Sequence, residues 1–273
     1  MTTTPSSLEG YEASTFVSSN GTKREIFRTG SGPAVIVVHE VPGITPLVAA
    51  FGQKVADRGM TAVLPNLFGT PGRPMSISYG LSSFTRACVS REFTVMATNR
   101  TSPIVAYLRE LARDEHAKCG GPGVGAVGMC LTGGFALAMS VDPTVVAPAL
   151  SQPSLPLPTN ALRRRSLGLS DDDYSKVRRR VADNLCVMGL RFSGDSKSPG
   201  ERFARLRGDL GENFIGVEID SSPLNPWGYP RNAHSVLTEN YSDVEGSPTR
   251  VALEELLTFF TTRLGVTPAS NGS

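Results

Sequence analysis

Short apolar runs, each closed by glycine, proline or a polar cluster, alternate along this chain with longer stretches of helical spacing. Residues 12–28, EASTFVSSNGTKREIFR, read as two short strands joined at Asn20-Gly21, the dipeptide that supplies positive φ in a tight hairpin. Ala34–His39 (AVIVVH) is a continuous β-branched run of the kind buried on both faces of a parallel sheet. A helical pattern over Pro46–Arg58 leads to a second buried strand, Thr61–Leu64, which ends in the breaker-rich PNLFGTPGRP. Residues 101–117 place Ile104, Leu108 and Leu111 on one helical face. GGPGVG then resets the chain into the strand Val124–Met129, followed by a helix over Gly133–Ser140.

The alternation continues to the end. Val145–Leu150 is a strand and the proline-rich SQPSLPLP a loop; Ser170 caps a helix reaching Val181, with three acids in its first turn. Leu185–Phe192 and Asn213–Ile219 are two further strands, and the last helix starts at Ser247-Pro248 and stops at Gly265. Strands alternating with helices predict an α/β protein with one doubly wound, mostly parallel sheet, helices on both faces and an N-terminal antiparallel hairpin. One domain over 12–265 is expected, with a flexible N-terminus (1–11) and a disordered tail (266–273).

Composition narrows the function classes. With 40% hydrophobic and 19% charged residues, the 273-residue chain buries a sizeable core. A net charge of +2 argues against nucleic acid as a partner, and the clusters Arg163–Arg165 and Arg178–Arg180 read as solvated surface. No run approaches the roughly 20 apolar residues of a membrane helix, and the N-terminus has no export signal. Four cysteines (88, 119, 130, 186) fall in no metal-finger spacing, so the expectation is reduced thiols in a cytoplasmic protein without cofactor or metal.

Ligands of such a sheet bind beyond the carboxyl ends of its strands, and Cys130 stands directly after Val124–Met129. Gly128 before it and Gly133-Gly134 after it allow the sharp strand-turn-helix of a nucleophile elbow, where a helix N-terminus lowers a thiol's pKa. The competing reading is a small buried hydrophobe. Of three histidines, His116 ends a charged helix and His39 sits in a buried strand, where neighbouring Glu40 points the other way. His234, in the polar loop PRNAHSVL, is free to act as a general base. Asp195, on the turn SGD after a strand, is the favoured orienting acid, and Asp220 is its rival.

VVHEVPG (37–43), GMCLTGGFAL (128–137), FSGD (192–195) and AH (233–234) together resemble the dienelactone hydrolase family of α/β-hydrolases, over roughly residues 30–265. That resemblance implies a Cys-His-Asp triad of Cys130, His234 and Asp195. Glu40 becomes an extra carboxylate that reaches and activates the thiol, and the N–H groups of Val41 and Leu131 form the oxyanion hole. Three departures stand out. Thr132 takes a position usually held by glycine. Thr238 replaces an arginine that grips substrate carboxylates, with Arg73 or Arg86 as other sources of charge. The stretch 151–184 and the loop Pro226–Pro230 are long, and Trp227 and Tyr229 are candidates to line a pocket. The resulting expectation is a thiol-dependent hydrolase of small esters or lactones, with a non-catalytic small-molecule binding protein as the alternative class. Oligomeric state and natural substrate are not legible.

Overall fold

The computed structural model describes residues 6–76, 78–80, 83, 102–155 and 160–267. Its eight strands are β1 (Glu12–Val17), β2 (Lys23–Gly30), β3 (Ala34–Val38), β4 (Thr61–Pro65), β5 (Val124–Met129), β6 (Val145–Ser151), β7 (Val187–Phe192) and β8 (Phe214–Ile219). They form one sheet in the order β1-β2-β4-β3-β5-β6-β7-β8. β2 pairs antiparallel with both β1 and β4, and the pairings from β4 through β8 are parallel. The hairpin predicted around Asn20-Gly21 is therefore present, with Gly21 at φ 83°.

The described helices are α1 (Pro46–Ala56), α2 (Pro103–Cys119), α3 (Gly133–Met139), α4 (Ala161–Arg165), α5 (Asp171–Ala182), α6 (Gly200–Leu210) and α7 (Pro248–Arg263). Strand side chains point alternately to the two faces, so a strand covered on both sides reads as continuous apolar sequence. In β3, Ala34, Ile36 and Val38 join the core under α2, α3, α5 and α6, while Val35 and Val37 join the core under α1 and α7. Side-chain caps start five of the described helices: Thr45 for α1, Ser102 for α2, Asn160 for α4, Ser170 for α5 and Ser247 for α7.

Several expectations need correction. Residues 6–11 are not loose: Leu8 is fully buried in the α1/α7 core, and the Tyr11 hydroxyl donates to Ala49 O at 2.6 Å. At the other end Val266 packs on that same core, whereas 268–273 lie outside the described residues. β3 stops at Val38, leaving His39 and Glu40 beyond the strand. The pattern predicts no element over Gly200–Leu210, where α6 stands; Phe203, Leu206 and Leu210 supply its buried stripe. Within Arg178–Arg180, Arg180 is half-buried and donates to the carbonyls of Asp142 (2.7 Å) and Val145 (2.8 Å). Its guanidinium closes the loop entering β6 instead of facing solvent.

Candidate active site

The carboxyl ends of β3, β5 and β7 deliver Glu40, Cys130 and Asp195, and the loop after β8 delivers His234. Cys130 follows β5 at φ 55°, the left-handed region that a side chain with a Cβ enters only under tertiary constraint. A single 3₁₀ turn, Cys130–Thr132, then feeds α3. The turn leaves no room for side chains: a Cβ on Gly128 would lie 2.1 Å from Thr132 O, and one on Gly133 2.5 Å from the Pro153 Cα. Thr132 needs no glycine, because its φ is −90°. Its hydroxyl lies 2.8 Å from both Val38 O and Met129 O and accepts the Met129 N–H at 2.9 Å, which ties the elbow to the end of β3.

Asp195 meets the imidazole, and Asp220 does not. The His234 Nδ1–Asp195 Oδ2 distance is 2.6 Å, and the other Asp195 oxygen accepts the Lys197 N–H at 2.9 Å. Asp220 is exposed and holds its own turn through the Ser222 N–H at 2.8 Å. Asn240 Oδ1 fixes the histidine loop from behind by accepting the His234 N–H at 2.9 Å and the Ser235 N–H at 3.2 Å.

Electrostatics connects His234 to Cys130. The His234 Nε2 is buried and makes no hydrogen bond of standard geometry, a looseness common in unliganded sites. Burial alone lowers the imidazole pKa. Electrostatic interaction with Cys130 opposes this, as does hydrogen bonding to Asp195, and together they push the pKa up to about 10.

Glu40 departs from its expected place on the thiol. Its buried carboxylate accepts from Ser235 Oγ at 2.7 Å and Gln152 Nε2 at 3.3 Å through Oε2, and from Thr238 Oγ1 through Oε1. Cys130 is not among these partners. Thr238 is thus no vacant substitute for an arginine, because its hydroxyl is spent on Glu40. His39 is fully buried and neutral, with burial lowering its pKa to about 4. The Leu67 N–H donates to its Nε2 at 3.1 Å, which leaves Nδ1–H to donate to Glu40 O at 3.0 Å.

The remaining candidates are scattered. Val41 is partly exposed beyond β3, and Leu131 is buried in the elbow, so both lie on the segments that would carry oxyanion donors. Tyr229 belongs to the core: it packs on Phe192 with ring centroids 5.1 Å apart, and its hydroxyl meets Thr249 Oγ1 at 3.0 Å. Trp227 stays on the surface, 42% exposed. Arg73 lies over the Tyr79 ring at 4.2 Å, whereas Arg86 and Cys88 fall outside the described residues. A groove of about 590 Å³ between α7 and the β7–β8 edge, lined by Met188, Ile215, Val251 and Phe259, contains none of the triad. Among the described residues no three His, Cys, Asp or Glu side chains cluster to hold a metal ion, and no helix is long and apolar enough to cross a membrane.

Sequence reading misses Gln152 and Arg202. Gln152, at φ 34° after β6, hides in a proline-rich loop whose polar residues read as solvent-exposed, yet it is fully buried. Arg202 is 1% exposed; it donates to Ser166 O at 2.6 Å and to Pro153 O, tying both carbonyls to α6. Burial lowers its pKa to about 10, and the Asp195 charge opposes that shift.

Comparison with known proteins agrees with this fold. The sequence model of the dienelactone hydrolase family matches residues 25–162. Among curated proteins none matches the chain significantly. A structure assigned as a dienelactone hydrolase from Klebsiella pneumoniae subsp. pneumoniae MGH 78578 superposes with a TM-score of 0.62 at 18% identity, covering 92% of this chain and 98% of that one. A dienelactone hydrolase-like promiscuous phosphotriesterase from metagenomic libraries gives 0.58 at 14% identity, over 94% and 100% of the two chains. Esterase 2 of Thermogutta terrifontis gives 0.55 at 13% identity, over 98% and 97%.

Proposed function

The chain belongs to the dienelactone hydrolase family, and from that premise we propose that it hydrolyses small esters or lactones through an acyl-cysteine intermediate on Cys130. The observation that carries this reading is the left-handed Cys130 on its elbow beside an imidazole held by Asp195 at 2.6 Å. The sulfur anion attacks the carbonyl carbon, and the C=O electron pair moves onto oxygen. The N–H groups of Val41 and Leu131 receive that oxyanion. When the intermediate collapses, the C–O bond to the alcohol breaks and the His234 imidazolium gives the leaving oxygen its proton. The neutral imidazole then takes a proton from water, whose hydroxide attacks the thioester. Release of the acid regenerates the sulfur anion and the imidazolium. Asp195 fixes the ring's orientation throughout.

Negative charge near the site favours neutral over anionic substrates in this reading. Glu40 takes its hydrogen bonds from neutral donors alone, and the pKa of Glu239 is raised by partial burial and by the Glu40 charge. The test is turnover of p-nitrophenyl acetate by wild type, by wild type alkylated with iodoacetamide, and by Cys130→Ala. Turnover falling to background in the second and third samples is expected. Equal rates in wild type and Cys130→Ala would assign any hydrolysis to another site.

A further inference from the structure

A buried polar lattice lies behind His234, and the catalytic scheme makes no use of it. Its centre is Gln152, which is fully buried and held at a strained φ of 34° by its N–H donating to Leu190 O at 2.7 Å. Both ends of its amide are used. Nε2 donates to Glu40 Oε2 at 3.3 Å, while Oε1 accepts the Val236 N–H at 3.3 Å and the Ser151 hydroxyl. Glu40 then takes the hydroxyls of Ser235 and Thr238. Three donors of the histidine loop, at 235, 236 and 238, therefore end on two side chains carried just beyond the carboxyl ends of β3 and β6, the strands that flank β5.

Resting on the thiol-hydrolase reading, we propose that Gln152 and Glu40 are positioning residues that hold the His234 loop in register with Cys130. The chemistry explains the residue types. A carboxylate is acceptor-only, so one buried group can receive both hydroxyls and the amide without presenting a donor of its own. An amide beside it accepts a backbone N–H and donates back to the carboxylate, a pairing that neither a second acid nor an apolar residue would make. A buried carboxylate left with fewer donors is costly, so the loop closes only in the geometry that satisfies it. The same commitment of both oxygens keeps Glu40 off the sulfur.

Gln152→Leu, Thr238→Val and Thr238→Ser test the assignment, each checked for folding by thermal melt. Two readouts are taken: kcat and KM for p-nitrophenyl acetate, and the rate of Cys130 alkylation by iodoacetamide at pH 6.5. Gln152→Leu and Thr238→Val should lower kcat about tenfold or more with KM within about twofold, and slow alkylation by a similar factor, while Thr238→Ser restores both. Should Gln152→Leu fail to fold, the two Thr238 variants decide alone. Folded variants matching wild type in kcat and alkylation would overturn the proposal. So would faster alkylation in Thr238→Val, the result expected if a freed Glu40 deprotonates the thiol directly. Because alkylation needs no ester, an alkylation-competent wild type without turnover would sink the hydrolase reading while still deciding this one.

Discussion

Replacing Cys130 by serine exchanges one atom, sulfur for oxygen, and should discharge the histidine. In the wild type the imidazole pKa stands at about 10 against an ordinary 6.5, with burial working in the opposite direction. At about 1.4 kcal/mol per pH unit, the preference for the imidazolium is on the order of 5 kcal/mol. The Cys130 charge leads the causes that supply it, followed by hydrogen bonding to Asp195 and to the sulfur. A serine hydroxyl carries no charge near neutrality, so only Asp195 is left to oppose burial, and the variant's histidine should titrate below about pH 8. The ¹⁵N chemical shifts of the imidazole, followed from pH 6 to 10, report this directly. At pH 7.5 the wild-type ring should be doubly protonated, and by pH 8.5 the Cys130→Ser ring should be a neutral tautomer with Nδ1–H toward Asp195. Stability carries the same sign. A raised histidine pKa gives stabilisation that is complete below 6.5 and is lost as pH rises through 10. The histidine's share of any alkaline decline above 6.5 should therefore shrink in the variant. A wild-type ring that is neutral at pH 7.5, or identical titrations in the two proteins, would refute the ion pair.

Three further substitutions probe the acid and the elbow. Asp195→Asn leaves the hydrogen-bond length available but withdraws the charge and lets the wrong tautomer form, so kcat for p-nitrophenyl acetate should fall by roughly 10²–10⁴. Asp220→Asn, on an exposed turn, should stay within twofold; the reverse ranking would return the triad to Asp220. Gly128→Ala forces a Cβ to 2.1 Å from Thr132 O, so urea denaturation should show a loss of about 1–3 kcal/mol or more and activity should fall with it, whereas unchanged stability would mean that the turn has slack.

The sheet was legible because each parallel strand is covered on both faces, which turns burial into an uninterrupted apolar word such as AVIVV or VGAVGM. The elbow was legible for a similarly local reason: Gly128 and Gly133 answer contacts made within a few residues or by the adjacent segment. α6 was harder, because its buried face includes Arg202, whose charge disguises an inward position; carbonyls from a distant loop satisfy it. Asp195 and Asp220 could be ranked but not separated from sequence, since both end strands. Sheet order separates them: β7 lies two strands from β5, and β8 is the edge, one strand spacing of about 4.8 Å farther from the nucleophile.

Glu40 shows where local reading stops. Its position at the end of a buried strand announces an acid that must find partners, and Cys130 is the partner that family resemblance supplies. The structure instead satisfies it with Gln152, Ser235 and Thr238, which lie 112, 195 and 198 residues away in sequence. None of these is a charged or aromatic residue of the kind that marks a site in a single sequence. Serine, threonine and glutamine in polar loops look alike whether they face solvent or a buried anion, because the deciding quantity is whether water can reach the acceptor. Thr238 then acquires a meaning opposite to that of a missing arginine. A guanidinium there would bring its own counter-charge to Glu40, leaving the carboxylate a partner that a substrate anion can compete for. A hydroxyl brings none, so the carboxylate depends on the exact closure of the histidine loop. Loss of a cation at this position thus exchanges electrostatic recognition of the substrate for steric control of the base.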